Sequence, residues 1–117
     1  MAKYNELLLD ANFLIEAEKR RVIDKARELV PGAKLMTLQA VVDELEDHKL
    51  ALEIMRAEGV EVMPVKGYAD DEILVYAKKG GVAVATNDSA LVKRLRAESI
   101  PVVFLTKSGC DLVGGIV

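Results

Sequence analysis

The sequence predicts an α/β fold, a three-layer α/β/α sandwich around a central, mainly parallel sheet of about five strands. Short apolar runs alternate with stretches of helical periodicity, the pattern of repeated strand–helix units. Aromatic residues are scarce and Trp is absent, so Val, Leu, Ile and Ala must fill the core, as in sheets buried on both faces. The 117 residues suit one domain over 1–117, long enough to bury a core without disulfide or metal staples.

Each element has its own signal. Leu7-Leu8-Leu9 predicts a short buried strand ending at Asp10. A helix is expected through Asn12–Glu18, continuing with a break to Leu29, until Pro31-Gly32 stops it. Lys34–Thr37 predicts a second strand. Leu38, Val41, Val42 and Leu45 fall at i, i+3, i+4 and i+7, which predicts helix over about 38–47. His48–Glu58 is expected to continue as helix, and Gly59 ends it. Val60–Val65 alternates and predicts a strand ending near Pro64. Asp70 or Asp71 starts a helix with Ile73, Leu74 and Ala77 on one stripe, closed by Gly80-Gly81. Val82–Ala85 is wholly apolar and predicts a buried strand. Thr86-Asn87-Asp88 closes it and opens a helix carrying Leu91, Val92 and Leu95. Ile100–Leu105 is the next strand, with Pro101 near its start, and the tail around Gly114-Gly115 predicts a short edge strand.

Composition excludes several classes. The formal net charge of −3 argues against a passive nucleic-acid binder held by bulk charge. Local charge is uneven. Lys19, Arg20, Arg21, Lys25 and Arg27 form one basic stretch, and Lys78, Lys79, Lys93, Arg94 and Arg96 form smaller groups. Residues 43–61 are acid-rich in contrast. The plain reading of any one run is a solvated helix face. No apolar run reaches the length of a membrane span, and the opening residues reach Asp10 too soon for a signal peptide. The lone Cys110 excludes a disulfide within the chain and reads as a small surface or core residue, so a cytoplasmic protein is expected. The paired glycines lack a following Lys-Ser or Lys-Thr, which excludes a P-loop. His48, between Asp47 and Lys49 on a helix, reads as an ordinary exposed histidine.

The carboxylates carry the chemistry. In a parallel sheet the strand ends that lead into helices share one edge, where ligands bind. Asp10 stands at the end of the first strand, and Asp88 stands three residues past Ala85. Asp70 and Asp71 stand at the entry of the helix between. Asp70 precedes Ile73 and Leu74 by the offsets at which Asp88 precedes Leu91 and Val92, so each tops an apolar stripe. Glu44, three residues after Val41, borders the apolar face of its helix. Taken singly, Asp10, Asp70 and Asp88 read as helix caps, and Glu44 as a solvated residue. Capping does not explain convergence. Gathered carboxylates repel unless one is protonated or a cation sits among them, and hard divalent cations prefer oxygen ligands.

The runs Leu-Leu-Leu-Asp10-Ala-Asn12, Val41-Val42-Asp43-Glu44-Leu45, Tyr68-Ala-Asp70-Asp71-Glu-Ile73-Leu74 and Val84-Ala-Thr86-Asn87-Asp88 together resemble PIN domains, in that family's order and over nearly the whole chain. Val102-Val103-Phe104-Leu105 resembles the late strand of the archaeal and eukaryotic ribosome-processing branch. The resemblance implies a metal-dependent ribonuclease. By motif, Asp10 and Asp88 would hold the principal Mg²⁺ or Mn²⁺, with Glu44 and Asp70 completing the shell partly through water. Asp71 is the alternative to Asp70. Asn12, Thr86 and Asn87 would orient the acids, or else serve turn and strand-end chemistry.

The implied reaction is hydrolysis of phosphodiester bonds in single-stranded RNA. Lys93, Arg94 and Arg96, with Lys19, Arg20 and Arg21, would grip phosphates. Tyr68 is expected to pack, with stacking on a base as the alternative. A homodimer is expected. The biological role stays open between rRNA or tRNA processing with a ribosome-assembly partner and a toxin with its antitoxin. Two rival readings stand beside this one. One is a catalytically idle PIN-like RNA-binding or assembly module. The other is a receiver-type phosphoacceptor domain, suggested by Lys107 just after a strand.

Overall fold

A computed structural model describes residues 4–108 and 111–117. In chain order the elements are β1 (Glu6–Leu9), α1 (Ala11–Glu16), α2 (Val22–Leu29), β2 (Lys34–Leu38), α3 (Gln39–Glu44), α4 (Lys49–Ala57), β3 (Glu61–Met63), α5 (Ala69–Ala77), β4 (Val82–Ala85), α6 (Ser89–Ala97), β5 (Val102–Ser108) and β6 (Asp111–Ile116). Cys110 lies outside the described residues.

The strands form one six-stranded sheet in the order β3-β2-β1-β4-β5-β6. All neighbours are parallel except β5 and β6. The apolar run of β1 follows from its place: Leu7 pairs with Leu35 on one side and Ala83 on the other. Leu7, Leu8 and Leu9 are fully buried, as a central strand covered on both faces requires. From β1 the chain steps outward to β2 and β3, then returns to β4 and steps the other way to β5. Right-handed crossovers in opposite directions put their helices on opposite faces. α2 packs on β5 and β6, while α5 and α6 pack on each other and on β4 and β5 respectively.

Three expectations change in detail. Helix does not run unbroken from 38 through 58. α3 ends at Glu44, and His48 is the N-cap of α4 on the intervening turn, half-buried, and not a mid-helix surface residue. The apolar periodicity hid this break, because Leu45, Ala51 and Met55 all face the same core from either side of it. Glu18, just past α1, supplies the missing cap. Its Oε2 accepts the Ala51 N–H at 3.1 Å, and its Oε1 lies 3.4 Å from His48 Nδ1. β3 is shorter than the alternating run, because Pro64 has no N–H to donate and Val65 N–H turns back to the Met63 carbonyl at 2.7 Å. The tail strand is a full sixth strand, antiparallel to β5.

The join of β6 to the core sets a local limit on size. A Cβ at Gly114 would sit 2.2 Å from Leu105 Cδ2, 2.9 Å from Leu29 Cδ1 and 2.9 Å from the Phe104 carbonyl oxygen. Gly114→Val is therefore expected to destabilise the fold by about 1–3 kcal/mol through overpacking, measured by urea unfolding.

Candidate active site

β1 and β4 are neighbours from which the chain departs in opposite directions, so their C-terminal ends form the crevice of an open α/β sheet. The ladder continues one step past β1, where Asp10 N–H donates to the Ala85 carbonyl at 3.0 Å. Asp10 is only 4% exposed. Its Oδ1 accepts the Ala11 N–H at 2.8 Å, capping α1, and its Oδ2 accepts the Thr86 hydroxyl at 2.8 Å. Thr86 is fully buried and links both strand ends, since its Oγ1 also accepts the Asp88 N–H at 3.1 Å. Asp88 Oδ1 accepts the N–H groups of Ala90 at 2.9 Å and Leu91 at 3.3 Å, capping α6. Asp70 is no cap. Tyr68 holds that position in α5, and Asp70 is the helix's second residue, half-buried.

Asp10 lies within electrostatic reach of Asp70 and Asp88, Asp70 of Asp88, and Glu44 of Asp10 and Asp70. Burial pushes the Asp10 carboxyl above its ordinary value, against the bonds from Thr86 and Ala11, and the charges of Asp70 and Asp88 push the same way. Glu44 is raised by desolvation and by the fields of Asp10 and Asp70, although the residue as a whole is exposed. Asp70 is raised by desolvation and by Asp88, while Arg94 opposes the rise and Asp71 adds to it. The donor set is all oxygen, which suits a hard divalent cation and not a soft one. Among the described residues no three His, Cys, Asp or Glu side chains are grouped closely enough to clasp an ion. The set fits an ion held directly by one or two carboxylates and by the others through water, the usual habit of Mg²⁺.

The remaining candidates fall in different places. Asn12 is half-buried, with Oδ1 3.4 Å from Thr86 Oγ1. Asn87 Oδ1 accepts the Leu105 N–H at 3.1 Å, so its side chain ties the β4 exit to β5. Asp71 is exposed and pairs with Arg94 at 2.7 Å, which occupies that arginine. Lys93 and Arg96 line an open groove of about 480 Å³ together with Thr86, Asn87, Val92 and Phe104. Lys19, Arg20 and Arg21 lie beyond the far end of the helix that Asp10 caps. There Arg20 pairs with Glu16, and Arg21 with Asp24. Sequence reasoning missed Thr37. It is fully buried, and its hydroxyl donates to the Leu9 carbonyl at 2.8 Å, fixing the end of β1 beside Asp10. A lone hydroxyl in an apolar strand was the available signal.

The order of these strands separates this chain from receivers, whose sheets run 2-1-3-4-5. Lys107 lies inside β5, paired with Leu112, and not after it. The receiver reading is thereby overturned. The sheet is an open, mainly parallel α/β sheet with acids at its central crevice. A family model described as a PIN like domain matches residues 3–108, and the chain belongs to that family. Its members are generally nucleases. No protein of curated function matches the chain. Among the described residues no helix is long and apolar enough to cross a membrane.

Two predictions concern the site without a cation. Asp10 has a raised folded pKa, so the folded state binds more protons than the unfolded chain between the ordinary value near pH 4 and that raised value. Its contribution to stability falls as pH climbs through that window. Asp10→Asn removes the titration, and its melting temperature relative to wild type is expected to rise as pH climbs above about 4. A difference that is flat with pH would refute the linkage. Thr86→Val strands the Asp88 N–H and an Asp10 oxygen, and chemical denaturation is expected to show a loss of about 1–3 kcal/mol.

Proposed function

We propose that this chain is a divalent-metal-dependent endoribonuclease that hydrolyses phosphodiester bonds of single-stranded RNA. The observation that carries the reading is the joining of Asp10 and Asp88 at the crevice through the Thr86 hydroxyl, with Asp70 in the field of both and Glu44 in the fields of Asp10 and Asp70. In this reading Asp10 and Asp88 hold the principal Mg²⁺ or Mn²⁺, and Glu44 and Asp70 complete its shell in part through water. Such a cation activates water and offsets the charge that builds on the departing oxygen. Thr86 keeps Asp10 oriented through the 2.8 Å bond, and Asp88 uses one oxygen as a cap while its Oδ2 has no hydrogen bond among the described residues. Lys93 and Arg96 form no ion pair among the described residues and supply phosphate contacts along the groove. Asp70 is preferred to Asp71, which Arg94 already engages.

A labelled single-stranded RNA tests the reading. Wild type is expected to cut it with Mn²⁺ or Mg²⁺ and to stop in EDTA. Asp10→Asn and Asp88→Asn are expected to lose more than about a hundredfold in rate, beyond what a residue merely supporting a ligand loses. Cleavage that survives both substitutions and EDTA would overturn it. Cation binding must also displace protons from the raised carboxyls. The rise in melting temperature caused by Mn²⁺ is therefore expected to grow as pH increases from about 4 to 7. Thermal shift with and without the ion measures it.

A further inference from the structure

Tyr68 was expected to pack, but it is the most exposed large hydrophobic side chain among the described residues, at 65%. Its backbone is held nonetheless. The Tyr68 carbonyl accepts the Glu72 N–H at 3.0 Å from the N-cap position of α5. Gly67, at φ +131°, sets the approach, and a Cβ there would meet Glu72 Oε1 at 3.1 Å. The Val65 carbonyl accepts the Ala40 N–H at 2.9 Å, pinning residues 64–68 to the start of α3. A fixed stem thus presents an aromatic ring to solvent two residues before Asp70. Lys66, on the same stem, is exposed and has no ion-pair partner among the described residues.

An open aromatic face with a cation beside it is how proteins grip single-stranded nucleic acid: the base stacks and the backbone is neutralised. Position supports the same occupant. The stem follows β3 on one flank of the crevice, and the Lys93–Arg96 groove borders β5 on the other. We infer that residues 64–68 form a base-stacking clamp for single-stranded RNA. Tyr68 stacks on a base next to the scissile phosphate, and Lys66 holds a neighbouring phosphate. The choice of RNA rests on the nuclease reading, whereas the stack itself needs no cleavage.

The test uses tyrosine emission, which is readable because the chain has no Trp and three Tyr. The Asp10→Asn protein is titrated with a short single-stranded oligouridylate. The emission is expected to be quenched, and Tyr68→Leu in the same background is expected to lose most of that quench and to bind roughly tenfold more weakly. Tyr68→Phe keeps the affinity. On an abasic oligonucleotide the Tyr68→Leu penalty disappears, and Lys66→Ala lowers the salt slope of binding by about one. Affinity of Tyr68→Leu within twofold of its parent would overturn the clamp, as would a penalty that persists without bases. The two readings fail separately. Loss of cleavage in Asp10→Asn with normal binding by Tyr68→Leu sinks only the clamp. Weak binding by Tyr68→Leu with cleavage intact in Asp10→Asn sinks only the metal-site reading.

Discussion

Like charges share a crevice that is partly closed to water, and the local hydrogen bonding of the site follows from that constraint. Asp10 is nearly buried, yet its oxygens receive the Ala11 N–H and the Thr86 hydroxyl. Asp88 is anchored likewise by two amide groups of α6. Capping and chemistry are therefore not rival explanations of these residues. A cap uses one oxygen, satisfies helix amides that would otherwise be orphaned, and leaves the remaining lone pairs at the crevice. Thr86 binds the two arrangements into one, because a single hydroxyl donates to the first acid and accepts from the backbone of the second.

The two ends of the sheet treat acids in opposite ways. At the entry of β1, burial pushes Glu6 up, but bonds from Lys79 and Tyr76 outweigh it and hold the carboxyl below its ordinary value. Lys79 also lies 4.3 Å from the centre of the Tyr76 ring, so the network is compact and locally balanced in charge. At the exit of the same strand Asp10 has no cation at hydrogen-bond distance among the described residues, and its carboxyl moves the other way. Three residues of one strand separate a carboxylate paired with a cation from one bonded only to neutral donors. A carboxylate raised by burial and by like charges in a crevice is the kind of perturbed group that gathers at functional sites.

Much of this was legible in the sequence, because strand and helix periods differ. The all-apolar runs at 7–9 and 82–85 read as buried strands, and a parallel sheet then predicted Asp10, Asp70 and Asp88 at one edge. What escaped depended on groups distant in sequence. Periodicity continued straight across the turn before His48, since the core does not register which helix a leucine comes from. The role of Thr37 required knowing that β2 lies beside β1. The basic residues were the least legible. Arg20 and Arg21 are engaged by acids four and three residues away, but Arg94 is engaged by Asp71, 23 residues distant in sequence, whereas Lys93 and Arg96 remain available on the groove.

An acidic chain is a poor electrostatic partner for RNA, and the distribution of charge resolves that difficulty on the nuclease reading. The net charge of −3 is spread over a surface larger than the distance at which salt screens exposed charges, roughly 8 Å at physiological ionic strength. A phosphate at the crevice therefore responds to its neighbours and little to the total. Without a cation those neighbours are Asp10, Asp70 and Asp88, and approach is opposed. A divalent ion among them would reverse the local sign, and Lys66, Lys93 and Arg96 would then act in concert with it. On that reading cation and RNA would bind with positive coupling, each raising the affinity for the other by the same factor. The desolvation that raises Asp10 would give an ion held there its leverage on the phosphate.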